Sequence, residues 1–254
     1  MKYYIDTEFI EDGKTIDLIS IGIVCEDGRE YYAINFDCDF SRASSWVKEN
    51  VLAHLPSRPS TPGFLTEHKK AISEGWKNRS TIRDEVAYFL GCSKTAKSWD
   101  DISAKNLIRP DEIWEYGLKE GTVKPEFYVY YGDYDWVVFC QIFGTMTNLP
   151  KGFPMYCRDL MQECDRLAFD PKSVSQENEH NALADARWNK RLHDELRVFE
   201  AKQEPLYSMD AQTGEIRLFC EKLEAVDGVS EEDRQIVEEI MEEKAELWSR
   251  LANS

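Results

Sequence analysis

The chain has 254 residues, of which 42% are hydrophobic, 31% charged and 12% aromatic. This composition supports one sizeable hydrophobic core and excludes collagenous, low-complexity and wholly disordered chains. The formal net charge of −17, from 48 acidic residues against 31 Lys and Arg, argues against non-specific attraction to nucleic-acid phosphates or anionic membranes.

The cysteine pattern and the hydropathy of the chain predict a cytoplasmic protein. The seven cysteines form no Cys-x-x-Cys pair and no regular framework, which is typical of reduced thiols. The N-terminus lacks a basic region followed by an apolar stretch, and apolar windows such as 136–144 are too short to span a bilayer. We therefore expect no membrane partner.

Three β-rich runs begin the chain, at residues 2–6, 15–25 and 30–35. Asp-Gly pairs at 12–13 and 27–28 separate them, and this dipeptide favours tight hairpin turns. The pattern predicts three antiparallel strands connected as a meander.

The middle of the chain is less regular. Helical spacing of apolar residues predicts one helix over 41–55 and another that begins near Ser80 and ends before Gly91. Residues 92–125 are polar and show no clear period, so we interpret them as an insertion with a short helix around 110–119.

Strands that run directly into helices are indicated at 126–144 and 153–167, and a long helix is predicted to start near Asn181. A meander followed by alternating helices and strands predicts an α/β fold with a mixed sheet flanked by helices. We assign these elements to one domain over residues 1–199.

Residues 200–254 differ in character from this domain. They contain 15 acidic and 6 basic residues, so −9 of the net charge lies here. Ile236, Ile240 and Leu247 recur at helical spacing and predict an amphipathic helix that packs on the domain or, as the alternative, binds a partner. We therefore expect an acidic helical C-terminal extension.

An acidic pair lies at the end of the first predicted strand. Asp6 and Glu8 are two residues apart, so both side chains leave the same face of the strand and can bind one cation together. Without a cation, two carboxylates at the end of an apolar strand would repel each other. The alternative is an exposed strand end with two solvated acids.

Two predicted helix starts carry further candidates. Asp135 begins an apolar helix directly after a strand, and N-capping is its alternative role; we interpret Asp133 as a turn residue. His180 and Asp185 lie at the start of the last long helix, where an imidazole just before the helix can lean over a site lined by Asp185. A surface histidine is the alternative for His180.

Four carboxylates and one histidine are the groups that two divalent cations and an attacking water require. Mg²⁺ and Mn²⁺ prefer oxygen ligands, and a pair of such ions assists displacement at a phosphodiester. A neutral imidazole accepts a proton near pH 7, whereas the lack of paired Cys/His spacing disfavours zinc. Because two ions neutralise four carboxylates locally, the acidic chain stays compatible with a short or single-stranded nucleic-acid substrate.

Three segments, taken in order, resemble a known superfamily. Residues 3–22 (YYIDTEFIEDGKTIDLISIG), 131–144 (YGDYDWVVFCQIFG) and 180–187 (HNALADAR) are similar to the three exonuclease motifs of the DEDD superfamily, histidine subclass. The DTEFIEDG segment and the REYYA run at 29–33 most resemble the exoribonuclease AS-type family, which is described as acting on polyadenylate.

The resemblance implies a role for each candidate residue. It implies a ribonuclease H-like domain over 1–199 with a central five-stranded mixed sheet, His180 as general base, and a homodimer. It also implies binding of two Mg²⁺ or Mn²⁺ ions by Asp6, Glu8, Asp135 and Asp185.

Two neighbours of the acidic pair are predicted to contact substrate. Phe9 is a candidate to stack on the terminal base, and core packing is its alternative role. The backbone around Thr7 is a candidate to contact the terminal ribose. The hypothesis is a 3′-5′ exoribonuclease that hydrolyses single-stranded RNA to nucleoside 5′-monophosphates, with a preference for adenylate implied by the resemblance. The alternatives are a 3′-5′ DNA exonuclease of the same fold and a catalytically inactive nucleic-acid- or protein-binding module.

Overall fold

The computed structural model describes residues 1–59, 74–98 and 114–203, together with the backbone of two short strands at 207–209 and 216–218. The chain divides into two units, Met1–His193 and Asp194–Ser254. In chain order the helices and strands are β1 (Lys2–Glu11), β2 (Ile16–Cys25), β3 (Glu30–Asn35), α1 (Ser45–Asn50), β4 (Trp76–Lys77), α2 (Arg79–Phe89), β5 (Cys92–Ala96), β6 (Trp114–Leu118), β7 (Glu126–Val129), α3 (Asp133–Phe143), β8 (Arg158–Asp159), α4 (Leu160–Leu167), α5 (Ala182–Gln203), β9 (Tyr207–Met209) and β10 (Ile216–Leu218).

The meander predicted from the sequence is confirmed. Strands β1, β2 and β3 pair antiparallel in sequence order. Gly13 (φ +80°) and Gly28 (φ +88°) supply the left-handed backbone that the two connecting turns need. Most of β2 is buried, because it lies in the middle of the sheet.

Three parallel pairings complete the main sheet. Strand β7 lies beside β1, β8 beside β7, and β4 beside β3, which gives the order β4-β3-β2-β1-β7-β8. The described sheet is therefore mixed, as predicted, but it has six strands where five were expected. The extra strand is an edge segment: β4 is only two residues long, too short to produce an alternating pattern in the sequence.

Helices cover both faces of this sheet. Successive residues of a strand point to opposite faces: Ile5 of β1 belongs to the main core together with Val86 of α2 and Phe139 of α3. On the other face the Tyr4 hydroxyl hydrogen-bonds with Nδ1 of the buried His193 of α5, at 2.8 Å. The end of β1 thus lies between α3 and α5.

The short helix predicted around 110–119 of the insertion is wrong over residues 114–118. This segment, expected to be helical, is strand β6, which pairs antiparallel with β5. The reason is tertiary: β5 supplies a strand partner for this segment, and Tyr116 is buried in the main core. Residues 99–113 of the insertion lie outside the described part of the chain.

The C-terminal extension contains strands as well as the end of α5. Strands β9 and β10 pair antiparallel within it, so it is not uniformly helical as expected. The amphipathic helix predicted around 236–248 lies outside the described residues. Within the described residues, no helix combines the length and the apolar character needed to cross a membrane.

Candidate active site

The acidic pair lies on β1 where that strand emerges from the centre of the sheet. Asp6 is opposite Gly22 and Glu8 is opposite Ser20 in the pairing with β2, and the register shifts immediately after Glu8. Asp185, in the first turn of α5, meets the pair from the covering helix. One oxygen from each of Asp6, Glu8 and Asp185 can be chosen so that all three lie within 4.8 Å of one another.

A close approach of backbone to backbone brings α5 to this position. A Cβ on Gly22 would lie 2.2 Å from the carbonyl oxygen of Ala182, the first residue of α5. Since Gly22 is the direct neighbour of Asp6 across the ladder, only a residue without a side chain lets the helix start this close to the carboxylate.

Both oxygens of Asp185 accept hydrogen bonds from the segment before the helix. The amide Nε2 of Gln176 donates to Oδ1 at 2.8 Å, and the backbone N–H of His180 donates to Oδ2 at 2.9 Å. Gln176 was not identified from the sequence, because a glutamine in a loop carries no motif of its own.

Asp135 approaches the same end of β1 from α3. It is buried in the first turn of the helix, and the N-cap residue is Gly132, so Asp135 is not the cap. Its Oδ1 accepts hydrogen bonds from the backbone N–H of Thr7 at 2.7 Å and from the Thr7 hydroxyl at 2.6 Å. Asp133 is exposed at the helix start.

The contacts of Thr7 are with a carboxylate. Thr7 is 5% exposed and both of its donors are directed to Asp135, while contact of the terminal ribose with the backbone around Thr7 stays a prediction. In this structure Thr7 therefore holds a carboxylate.

The electrostatic environment of the four carboxyl groups is unfavourable to their ionised forms. Burial, and then the charges of Asp135, Asp185 and Glu8, raise the pKa of Asp6 well above its usual range. Burial, followed by Asp185 and Asp135, raises the pKa of Glu8 to about 8. Burial also raises the pKa of Asp135 to about 6, although Thr7 opposes the shift, and it raises the pKa of Asp185 against the hydrogen bond from Gln176.

This cluster fits a hard divalent cation. The ligand atoms of Asp6, Glu8 and Asp185 are all carboxylate oxygens, which Mg²⁺ and Mn²⁺ prefer over nitrogen or sulfur. A bound cation would offset the loss of hydration and the repulsion that raise the pKa values of Asp6 and Glu8.

His180 lies immediately before α5 in a left-handed backbone conformation, with φ +67°. Its ring meets the indole of Trp46 edge to face, with ring centroids 4.8 Å apart. Trp46, in α1, is 53% exposed. The sequence did not indicate this contact, because the two residues are far apart in the chain and neither spacing nor composition connects them.

Phe9 shows the packing that was its alternative role, and its stacking on a substrate base stays a prediction. Its ring is partly buried against the main core and is stacked on the ring of Tyr134, with centroids 5.7 Å apart and planes 28° from parallel. Tyr134 is 53% exposed. The pair therefore presents aromatic surface beside Asp135, mainly through Tyr134.

Comparisons with known proteins identify the family of this chain. The 3′-5′ exoribonuclease Rv2179c-like domain family matches residues 1–196. Two Mycobacterium tuberculosis proteins, 3′-5′ exoribonuclease Rv2179c of strain H37Rv and 3′-5′ exoribonuclease MT2234.1 of strain CDC 1551, are each 37% identical to this chain over 204 residues, which are 78% of this chain and 91% of theirs.

Among solved structures, a full-length 3′-exonuclease is 12% identical with a TM-score of 0.38, over 85% of this chain and 89% of the other. The family match covers more than three quarters of the sequence, and both curated relatives align along most of their own length. The chain belongs to the Rv2179c-like 3′-5′ exoribonuclease domain family.

Proposed function

We propose that this chain is a metal-dependent exonuclease that hydrolyses single-stranded RNA from the 3′ end and releases nucleoside 5′-monophosphates. The observation that carries the proposal is the convergence of Asp6, Glu8 and Asp185 to within 4.8 Å. The names of the curated relatives, both 3′-5′ exoribonucleases, support RNA as the substrate and the 3′ end as the starting point.

The cations are proposed to be two Mg²⁺ or Mn²⁺ ions, held by Asp6, Glu8 and Asp185 with Asp135 completing the set. The support is an oxygen-only cluster and carboxyl groups whose pKa values are raised first by burial and, for Asp6 and Glu8, then by the neighbouring carboxylates. When bound, such ions polarise the scissile phosphodiester and make the attacking water more acidic.

His180 is the proposed general base, and with it the histidine subclass is proposed for this chain. Its backbone N–H holds Oδ2 of Asp185, so the residue that accepts the proton also orients a metal-binding carboxylate. An imidazole can accept a proton near neutral pH. Its position before the first turn of α5, rather than inside the helix, leaves the side chain outside the helical packing.

Two aromatic surfaces support a single-stranded substrate. Tyr134, stacked on Phe9, lies beside Asp135, and Trp46 lies beside His180. Exposed rings stack on unpaired bases with little dependence on sequence, whereas the net charge of −17 disfavours binding to a long duplex. An adenylate preference is proposed from the family resemblance, and the stacking surface is consistent with it because a purine ring offers more area for stacking than a pyrimidine ring.

The proposal is tested with the full-length chain and end-labelled oligo(A), mixed RNA and DNA of equal length. We expect stepwise shortening from the 3′ end with Mg²⁺ or Mn²⁺, nucleoside 5′-monophosphate products, faster loss of oligo(A), and slow digestion of DNA. Full activity in EDTA would contradict the metal-dependent mechanism. Equal digestion of DNA would contradict the choice of RNA, and RNA binding without hydrolysis would favour the inactive binding module.

A homodimer is also proposed, following the family resemblance. Light scattering of the purified chain is expected to give twice the mass of one chain. A monomeric mass at the concentrations used for the assay would contradict it.

A further inference from the structure

Strand β1 extends well beyond its parallel neighbour. Strand β7 pairs only with Lys2–Tyr4 of β1, whereas β2 on the other side pairs as far as Glu11. From Ile5 onward, the β7 side of β1 therefore has no strand partner among the residues that the structure describes.

Backbone groups at such an edge need other partners when they are buried. The carbonyl of Ile5 accepts a hydrogen bond from Nδ2 of Asn189 at 2.8 Å. The N–H of Thr7 donates to Oδ1 of Asp135 at 2.7 Å. Asn189 and Asp135 are 1% and 7% exposed, so both bonds are shielded from water.

These two backbone groups lie on either side of Asp6. Every second residue of a strand directs its backbone N–H and C=O to the same edge, so the backbone groups of Ile5 and Thr7 both face the β7 side. Asn189 from α5 and Asp135 from α3 therefore occupy the place that a longer β7 would fill. Each covering helix is thus bonded to β1 within one residue of the metal-binding carboxylate.

The bonded residues are also well placed to control the other carboxylates. Asn189 follows Asp185 by four positions and so lies on the same face of α5, one turn further along. Thr7 adds its hydroxyl to the same Oδ1 of Asp135, at 2.6 Å, which fixes the orientation of that carboxylate with two bonds.

We infer that Asn189 and Thr7 are positioning residues of the proposed nuclease: the Asn189–Ile5 and Thr7–Asp135 hydrogen bonds take the place of the missing strand pairing beside Asp6 and set where α5 and α3 present Asp185 and Asp135. The inference rests on the proposed function for its activity readout. Its second readout, Mn²⁺ binding, is independent of hydrolysis.

The test compares Asn189→Leu and Thr7→Val with two reference variants. Leu and Val keep the branched shape and the number of side-chain heavy atoms of Asn and Thr but remove the amide donor and the hydroxyl donor. Thr7→Ser restores the hydroxyl. Asn35→Leu is the matched control, because Asn35 is fully buried and donates in the same way from Nδ2 to a strand carbonyl, that of Leu18, at 2.9 Å, but bonds neither helix to β1.

For each variant we would measure Mn²⁺ affinity by electron paramagnetic resonance, kcat and KM on oligo(A), and the melting temperature. We expect Asn189→Leu and Thr7→Val to weaken Mn²⁺ binding about 10- to 100-fold and to lower kcat with little change in KM. Thr7→Ser should stay close to wild type. Asn35→Leu should lower the melting temperature without changing the Mn²⁺ affinity of the folded protein.

The outcomes separate the inference from the proposed function. Wild-type Mn²⁺ affinity in Asn189→Leu and Thr7→Val, or an equal loss in Asn35→Leu, would overturn the inference. If Asn189→Leu fails to fold, Thr7→Val against Thr7→Ser decides it. A wild-type chain that binds Mn²⁺ but hydrolyses no RNA would overturn the proposed function, while the Mn²⁺ affinities of the variants still decide the positioning role.

Discussion

At the scale of single residues, the carboxylates of the candidate site work against the stability of the metal-free fold. Burial and mutual repulsion raise the pKa of Asp6 and bring that of Glu8 to about 8. A raised pKa in the folded state means that folding penalises the ionised form, by about 1.4 kcal/mol for each unit. A neutral side chain of the same shape removes the cost of burying an ionised carboxylate and also removes a proposed metal ligand.

Replacing Asp6 with Asn is therefore expected to separate stability from activity. We expect hydrolysis to fall at least about 100-fold and the melting temperature in EDTA to rise by about 2 °C or more, which corresponds to roughly 1 kcal/mol in a chain of this size. Thermal melts with and without Mn²⁺ provide the measurement. Mn²⁺ should stabilise wild type much more than the variant.

The matched control is Asp165→Asn, which neutralises an exposed carboxylate on α4. It should leave both the hydrolysis rate and the melting temperature unchanged. An Asp6→Asn protein that is less stable than wild type in EDTA would contradict the account of repulsion.

The exposed ring of Tyr134 allows a separate test of substrate stacking. Tyr134→Ala removes the exposed partner of the Phe9 stack, and a stacked base contributes about 1–3 kcal/mol. We expect KM for oligo(A) to rise about tenfold, with kcat much less affected. The control is Tyr88→Ala, which removes a tyrosine of α2 that is 73% exposed; equal KM values for the two variants would argue against stacking on Tyr134.

At the scale of elements, the site depends on how closely α5 approaches the sheet. Gly22 contacts the backbone of Ala182 beside Asp6, and Asn189 bonds the next turns of the helix to Ile5. Because interiors are close-packed, a helix that is pushed outward moves as a unit. A small change at Gly22 should therefore move Asp185 and His180 together.

Gly22→Ala is expected to destabilise the fold and to lower the hydrolysis rate of the folded protein. The added methyl would lie 2.2 Å from a main-chain oxygen, an overlap that costs about 3 kcal/mol or more. Urea unfolding gives the stability, and hydrolysis by the folded fraction gives the activity, which should fall about 100-fold.

Gly28→Ala is the control for this substitution. Gly28, unlike Gly22, has a positive φ, +88°, and an added Cβ there meets nothing within 4 Å, so only backbone strain of about 1 kcal/mol is expected. Activity of the folded protein should be unchanged. Wild-type activity in Gly22→Ala would show that α5 does not need this close approach.

At the scale of the whole molecule, charge is distributed unevenly. Residues 200–254 carry −9 of the net charge of −17, and the family match ends at residue 196. The extension therefore adds negative charge without belonging to the matched domain. Like charges slow the approach of an anionic substrate, and salt screens the effect.

A chain that ends at Gln203 is expected to keep kcat and to gain kcat/KM on RNA by about tenfold at low salt. The gain should disappear at high salt, because screening removes the repulsion. Steady-state kinetics at two ionic strengths measure both effects. A large loss of kcat, or a gain that persists at high salt, would contradict a purely electrostatic influence of the extension.

Several features of this protein follow from neighbouring residues alone, and the sequence was sufficient to predict them. Alternating apolar residues and Asp-Gly turns predicted the meander, and the two-residue spacing of Asp6 and Glu8 placed both carboxylates on one strand face. The start of α5 after His180 is likewise a local signal, because capping and helical periodicity act over a few positions.

Other features depend on contacts between distant parts of the chain, and only the tertiary structure decided them. Strand β6 replaces a predicted helix because β5 provides a partner and the core buries Tyr116. The roles of Asn189 and Asp135 arise because β7 ends before β1 does, which leaves backbone groups that side chains from two helices satisfy. The role of Gly22 arises because the start of α5 packs directly against β2. Local sequence cannot show where a neighbouring strand stops or how closely a helix packs, since both depend on the close packing of the whole domain.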